Sequence, residues 1–209
     1  MMDLAYISVF GKLIFMKIIK IRTIQEAKQL ELPPFPRALL DEAHQFQLKT
    51  MQSNMSRHSI LRQIYALVDK GSQVVDNLTV CKKGCAACCE ISVGLSELEA
   101  SYIERNTGRR MALGVRSSIS HKTDSRCPFL SSENSCSIYE FRPLACRVYA
   151  AFDDPDLCAQ LDVAHMTYSA DSNSLFAGSR RWIVGLNAAG AIADIRDFFG
   201  KGEQQRLVR

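Results

Sequence analysis

The decade "CKKGCAACCE" (Cys81–Glu90) holds four of the chain's eight cysteines, two of them adjacent. Thiols that close need a reason, and the spacing C-x3-C-x2-C-C supplies a chemical one. A two-residue gap lets a tight turn aim both sulfurs at one ion, which is why it recurs in zinc and iron–sulfur sites. A three-residue gap sets two thiols about one helical turn apart, on the same side of the backbone. Adjacent side chains diverge, so Cys88 and Cys89 are expected to face different metal atoms, or one ligates while the other packs. Four thiolates satisfy one tetrahedral zinc ion or one 4Fe–4S cube, and eight could satisfy two sites.

The remaining cysteines, Cys127, Cys136, Cys146 and Cys158, are spread over 32 residues beside turn and aromatic residues. That pattern predicts separate strands and loops converging on the first block. The stretch "FRPLACR" (Phe141–Arg147) sets Cys146 just after a proline break, between Arg142 and Arg147. Zinc or an oxidised cubane bound by four thiolates carries about two net negative charges, which burial penalises. Arg147 is the foremost candidate to offset that charge, with Arg142 beside it, whereas Lys82 and Lys83 read as surface cations. His121 and His165 are secondary candidate ligands, because a lone histidine more often packs or meets solvent. His44 and His58 fall on the N-terminal helices, away from the block.

Those helices are legible from period and punctuation. After the proline-marked break "LELPPFPR" (Leu30–Arg37), Leu39, Ala43 and Phe46 share one face of a helix over 38–52. A second helix is predicted over 56–69, with Ser56 as N-cap, Ile60, Ile64, Leu67 and Val68 on its stripe, and Gly71 at its end. Past the block, Ile91, Val93 and Leu95 alternate as in a short strand. Ser96 and Glu99 form a capping box that opens a helix over 97–107, stopped by Gly108. Residues 109–126 read as a loop, and "CPFLSSENSCSIY" (Cys127–Tyr139) as two extended pieces around a turn. Residues 150–174 read as mostly irregular, turning at Asp153-Asp154-Pro155, before a last helix over 179–199 with Trp182, Leu186, Ala189 and Ala193 on one face.

The motifs "CKKGCAACC", "CPFL" and "CSIYEFRPLACR" together resemble the YkgJ-type cysteine-cluster family, also described as zinc- or iron-chelating domains. A similar cysteine block occurs in proteins named flagellin lysine N-methylases. The resemblance covers about residues 78–150 and implies metal chelation by Cys81, Cys85, Cys88, Cys89, Cys127, Cys136 and Cys146, leaving Cys158 outside the matched part.

Bulk properties narrow the function without naming it. With 209 residues, 47% hydrophobic and 23% charged, the chain is long enough for one domain with a real core. A net charge of +4, with basic doublets scattered rather than in a stripe, gives no nucleic-acid signal. No stretch reaches the roughly 20 apolar residues that cross a bilayer. The segment "LAYISVFGKLIFM" (Leu4–Met16) lacks the flanks of a secretory signal, and Met16 is an alternative start. A cytoplasmic setting is therefore expected, where cysteines serve as metal ligands or redox groups more than as disulfides.

Two enzyme readings compete with simple chelation. Cys81, Cys85 and Cys88 have the C-x3-C-x2-C spacing of radical S-adenosylmethionine enzymes, but Ala87 stands where an aromatic is usual. Only about 120 residues follow, too few for several βα units of roughly 30 residues each. Protein methylation, by analogy with the methylases, lacks a Gly-rich strand–turn–helix to hold its cofactor. A thiol nucleophile would need one singled-out Cys–His pair, and none stands out. A protein partner remains open for the helices of 38–69.

The resulting expectation is an α+β, mostly helical chain: an N-terminal helical region (1–77), a cysteine-cluster metal-binding region (78–160) and a C-terminal helical region (161–209). Its metal would be zinc or an iron–sulfur cluster, 4Fe–4S if iron, in a structural or redox role.

Overall fold

The computed structural model describes residues 20–82, 84–118, 126–158, 160 and 162–200, with the backbone of 8–9 and 12–13. Near the N-terminus β1 (Ser8–Val9) pairs antiparallel with β2 (Lys12–Leu13). Helix α1 (Ile24–Lys28) opens on a capping box between Thr23 and Glu26. Helix α2 (Arg37–Met51) follows the proline-rich break, and α3 (Arg57–Val74) is capped by the Ser56 hydroxyl, which accepts from the Ser59 N–H.

Gly71 does not end α3. The helix continues to Val74, and Gly71 lies where α3 meets α6 (Ser174–Asn187). A β-carbon there would stand 2.9 Å from Leu175 Cδ2 and 3.0 Å from Phe176 Cε1. The glycine therefore permits close helix approach rather than a stop. Leu61, Ile64 and Val68 of α3 are fully buried in the main core, which also takes Leu98, Tyr102, Leu144, Phe152 and Phe176. Helix α3 is the central element, packed against α2, α6, α4 (Glu97–Thr107) and α5 (Leu144–Val148).

The Ser96–Glu99 capping box forms as expected, and α4 ends where Gly108 turns left-handed at φ 73°. The C-terminal segment is a correction. A single helix over 179–199 is replaced by α6, a break, β6 (Ile192–Asp194) and α7 (Ile195–Phe199). The Asn187 side chain accepts from Leu98 N at 2.9 Å and donates to Gly190 O at 2.7 Å, which reverses the chain where alanines alone would favour helix. Ala188 takes φ 53° at that point. Ala193 consequently sits on a strand, opposite Leu95 of β3 (Gly94–Ser96), not on a helical stripe. The 150–174 segment also holds more structure than expected, since β4 (Ala150–Ala151) pairs with β5 (Thr167–Tyr168). The result is an α+β fold dominated by helices, with short antiparallel strand pairs tying distant segments.

One buried carboxylate links three of these elements. Glu99, 4% exposed, accepts from Ser96 N and Oγ, from Tyr65 Oη at 3.0 Å and from Leu144 N at 2.9 Å. Burial, then the Glu99 charge, holds the Tyr65 hydroxyl well above its ordinary pKa, so it stays a donor. Replacing Glu99 by alanine strands several buried donors, each worth about 1–3 kcal/mol. Glu99→Ala is expected to lower stability by about 3 kcal/mol or more, seen as a lower urea midpoint, with Glu99→Gln falling between.

Candidate metal centre

The cysteine segment is folded by backbone turns rather than long elements. Val80 N donates to Ala151 O at 2.9 Å, and Ala151 N reaches back to Cys81 Sγ at 3.5 Å. That pair fastens Cys81 to β4. Gly84, at φ 87°, turns the chain so that Cys85 N meets Lys82 O at 3.0 Å. A 3-10 turn over Ala87–Cys89 then carries the adjacent cysteines. With three residues per turn, successive side chains there stand about 120° apart.

The other cysteines come in from four separate places. Cys127 N donates to Cys89 O at 2.8 Å, joining the second cysteine segment to the first. Leu130 bridges to Cys136 across a turn in which Asn134 takes φ 56°, the two extended pieces expected from the sequence. Cys146 lies on α5, whose first N–H is held by Glu99. Cys158 follows a 3-10 turn (Pro155–Leu157) that Asp154 caps, and it is buried.

None of the eight cysteines is in a disulfide. Hydrogen bonding to Cys89 and burial push the Cys127 thiol far up, and burial with the facing thiols of Cys127, Cys89 and Cys136 does the same to Cys146. Cys89 hydrogen-bonds Cys127, which lowers its pKa, and Cys88, which raises it; burial tips the balance upward, to about 12. Burial also raises Cys136. On the other side, burial and the neighbouring Cys81 and Cys85 push Cys158 up to about 11. The Tyr149 hydroxyl, raised by burial and then by Cys158, Cys88 and Cys81, sits among these thiols. Among the described residues no group of three or more Cys, His, Asp or Glu side chains is placed closely enough to hold a metal ion.

Does this donor set fit a metal? The chemistry does: thiolates suit zinc and iron–sulfur clusters, and burial excludes competing water. Arg142 adds a second mark. Its Nε is buried without a hydrogen-bond partner among the described residues, its guanidinium lies 3.9 Å from the Tyr139 ring centre, and its charge offsets a small part of the upward push that burial gives Cys136 and Cys146.

Arg147 takes a different role from the one expected. Its guanidinium is buried over the Tyr65 ring and donates to Asp69 Oδ2 at 2.6 Å and to the Arg142 and Glu140 carbonyls. It braces α5 against α3 instead of facing sulfur. Lys82 is exposed, and Lys83 and His121 lie outside the described residues. His165 contacts Tyr149 Oη and the buried Asp153, both at 3.3 Å, so it stands behind Tyr149 rather than in the thiol set. His58 bonds Ser101, and His44 lies on α2.

The residue that sequence reasoning missed is Arg196. From α7 it donates to Cys89 O at 3.0 Å and Ile91 O at 3.1 Å, while pairing with buried Asp194 at 3.1 Å. Hydrogen bonding to Cys89 and burial still hold the Cys127 thiol far up, and the Arg196 charge offsets only a small part of that push. A separation of 107 positions from Cys89 leaves no local signal that could have pointed to it.

Seven half-buried cysteines and the buried Cys158, with Arg142 and Arg196 nearby, make this a thiol-rich region of the fold. Residues 80–169 match the CxxCxxCC family, described as "Putative zinc- or iron-chelating domain". The match takes in all eight cysteines, Cys158 included, beyond the stretch over which motifs alone carry the resemblance. No curated protein and no solved structure matches the chain. No helix among the described residues is long and apolar enough to cross a membrane.

Replacing Arg196 by methionine leaves Asp194 charged, buried and unpaired, and removes the donor from two carbonyls of the cysteine segment. Arg196→Met is expected to cost about 3 kcal/mol, measured by thermal unfolding, with Asp194→Asn in the same chain recovering part of it.

Proposed function

We propose that this protein binds zinc or an iron–sulfur cluster through its cysteine cluster, and that the metal organises the cysteine-rich region between the helical parts of the chain. The observation that carries this reading is that eight cysteines outside any disulfide, seven half-buried and one buried, sit on turns and short elements of the stretch that matches a zinc- or iron-chelating domain. Turns and short strands make few backbone hydrogen bonds of their own, so such a region gains from a metal anchor. Structural zinc supplies about 10–16 kcal/mol in small metal domains, and that binding energy becomes folding energy.

The metal's own contribution is charge: a bound cation makes thiolates affordable in a buried site. The chain's residues do the rest. Cys81, Cys85, Cys88, Cys89, Cys127, Cys136, Cys146 and Cys158 are the proposed ligands. Arg142 and Arg196 offset the residual negative charge, and Arg147 with Glu99 holds α5 in place beneath Cys146. With zinc the role is structural. With iron the same cage adds electron transfer or oxidant sensing.

Metal analysis of chain purified without oxygen is expected to find at least one equivalent of zinc or iron. Acid with a strong chelator should strip it, since protons return to the thiolates as the pH falls. The stripped chain is expected to be cut first by protease within residues 78–160. Folded protein holding less than about half an equivalent of any transition metal would sink the reading, because an intact structural site is a filled one.

A further inference from the structure

Resting on that reading, we infer that the eight thiols form two separate four-thiolate sites, and that the bond between Cys88 and Cys89 is the boundary. One site takes Cys89, Cys127, Cys136 and Cys146. The other takes Cys81, Cys85, Cys88 and Cys158.

The packing of the chain divides along this line. Cys127, Cys136 and Cys146 all pack on one apolar cluster, built from Leu95, Ile103, Phe129, Ile138 and Phe198. Cys89 is tied to that side by the bond from Cys127 N to its carbonyl, and by Arg196 from α7. Cys158 packs on a different cluster, with Val80, Ala151 and Ala87. Cys81 belongs there, since Val80 and Ala151 are hydrogen-bonded to each other and Ala151 N donates to its sulfur. The two clusters share no residue.

Away from the boundary, where the adjacent Cys88 and Cys89 hydrogen-bond each other, the side chains keep to the same division. Cys146 interacts with Cys127, Cys89 and Cys136, but Cys158 interacts with Cys81 and Cys85. Tyr149 completes the second group by touching the fields of Cys158, Cys88 and Cys81 together. The 3-10 turn over Ala87–Cys89 explains how neighbours in sequence serve opposite sides, because its successive side chains point about 120° apart. Four thiolates per site is the full complement of a closed tetrahedral zinc or of a cubane. Cys158, the cysteine that the motifs left over, thus becomes the fourth ligand of the site begun by C-x3-C-x2-C.

The test is a titration of the reduced, oxygen-free full chain with Co2+, read by thiolate-to-cobalt charge-transfer absorption, with circular dichroism reporting the helices. Wild type is expected to saturate at two equivalents, both resisting a competing chelator. Cys158→Ser and Cys88→Ser should each leave one resistant equivalent, as should Cys136→Ser and Cys89→Ser. Cys158→Ser combined with Cys88→Ser should still leave one, whereas Cys158→Ser combined with Cys136→Ser should leave none. Wild type that saturates at one equivalent overturns the two-site division while leaving metal binding intact. So does a folded single variant that loses both equivalents. Folded wild type that takes up no cobalt overturns the division and the proposed function together. Should a variant fail to fold, the wild-type stoichiometry still decides.

Discussion

The Glu99 carboxylate is the constraint on which the rest of the architecture depends. A buried acid must have its lone pairs filled, and here the fillers come from three elements: its own capping box on α4, Tyr65 on α3 and the first N–H of α5. None of those groups can be moved without uncovering a charge. Helix α5 is five residues long, too short to be stable by its own hydrogen bonds, so its position is imposed from outside. Glu99 fixes its start and Arg147 fixes its far side against Asp69 of α3. Cys146 rides on that helix. A second buried acid repeats the device at the other end of the segment: Asp194 accepts from Val93 N and pairs with Arg196, which in turn holds the carbonyls of Cys89 and Ile91.

These two knots explain how cysteines from distant segments are positioned in a region built mostly of turns and short elements. A neutral thiol behaves as a small hydrophobe and is inexpensive to bury, whereas a thiolate is costly. The upward shifts of Cys89, Cys127, Cys136, Cys146 and Cys158 say that the fold favours the neutral form. Gathering the ligands and charging them are therefore separable events. The chain does the first with backbone bonds and buried acids, and under the proposed reading the cation does the second.

What was legible in the sequence follows the range of the interaction concerned. The starts of α3 and α4 were readable because a cap is a contact over three residues: Ser56 to Ser59, and Ser96 to Glu99. The left-handed stop at Gly108 is equally local. Gly71 was misread because its reason lies on α6, about a hundred positions away, where Leu175 and Phe176 press on it. The break after α6 was missed for a similar reason. Alanine-rich sequence favours helix by propensity, but Asn187 is drawn off to cap α4, and β3 recruits residues 192–194 as its partner strand. Cysteine type and spacing marked the candidate ligands, but which thiol meets which is a matter of tertiary packing. Arg147 shows the same limit from the other direction, since its neighbour Cys146 suggested a role that Asp69 and the Tyr65 ring had already claimed.

The adjacent cysteines raise a last point about why the spacing is what it is. A single four-thiolate site commonly uses a C-x2-C pair such as Cys85 and Cys88, and an extra cysteine next to it would compete for the ion. Two sites on either side of one turn make that competition useful as economy of chain: consecutive residues serve both, with no linker between them. The geometry required is a turn tight enough to separate neighbouring side chains, and the 3-10 turn over Ala87–Cys89 meets it, whereas an extended strand would point them to opposite faces with no shared curvature. Under the proposed division Cys158, from beyond β4, would complete the site of the C-x3-C-x2-C trio, so its fourth position would be supplied by the chain itself. That weighs against an open iron awaiting a cofactor and towards a closed cage, which is the physical distinction between a catalytic metal and an organising one.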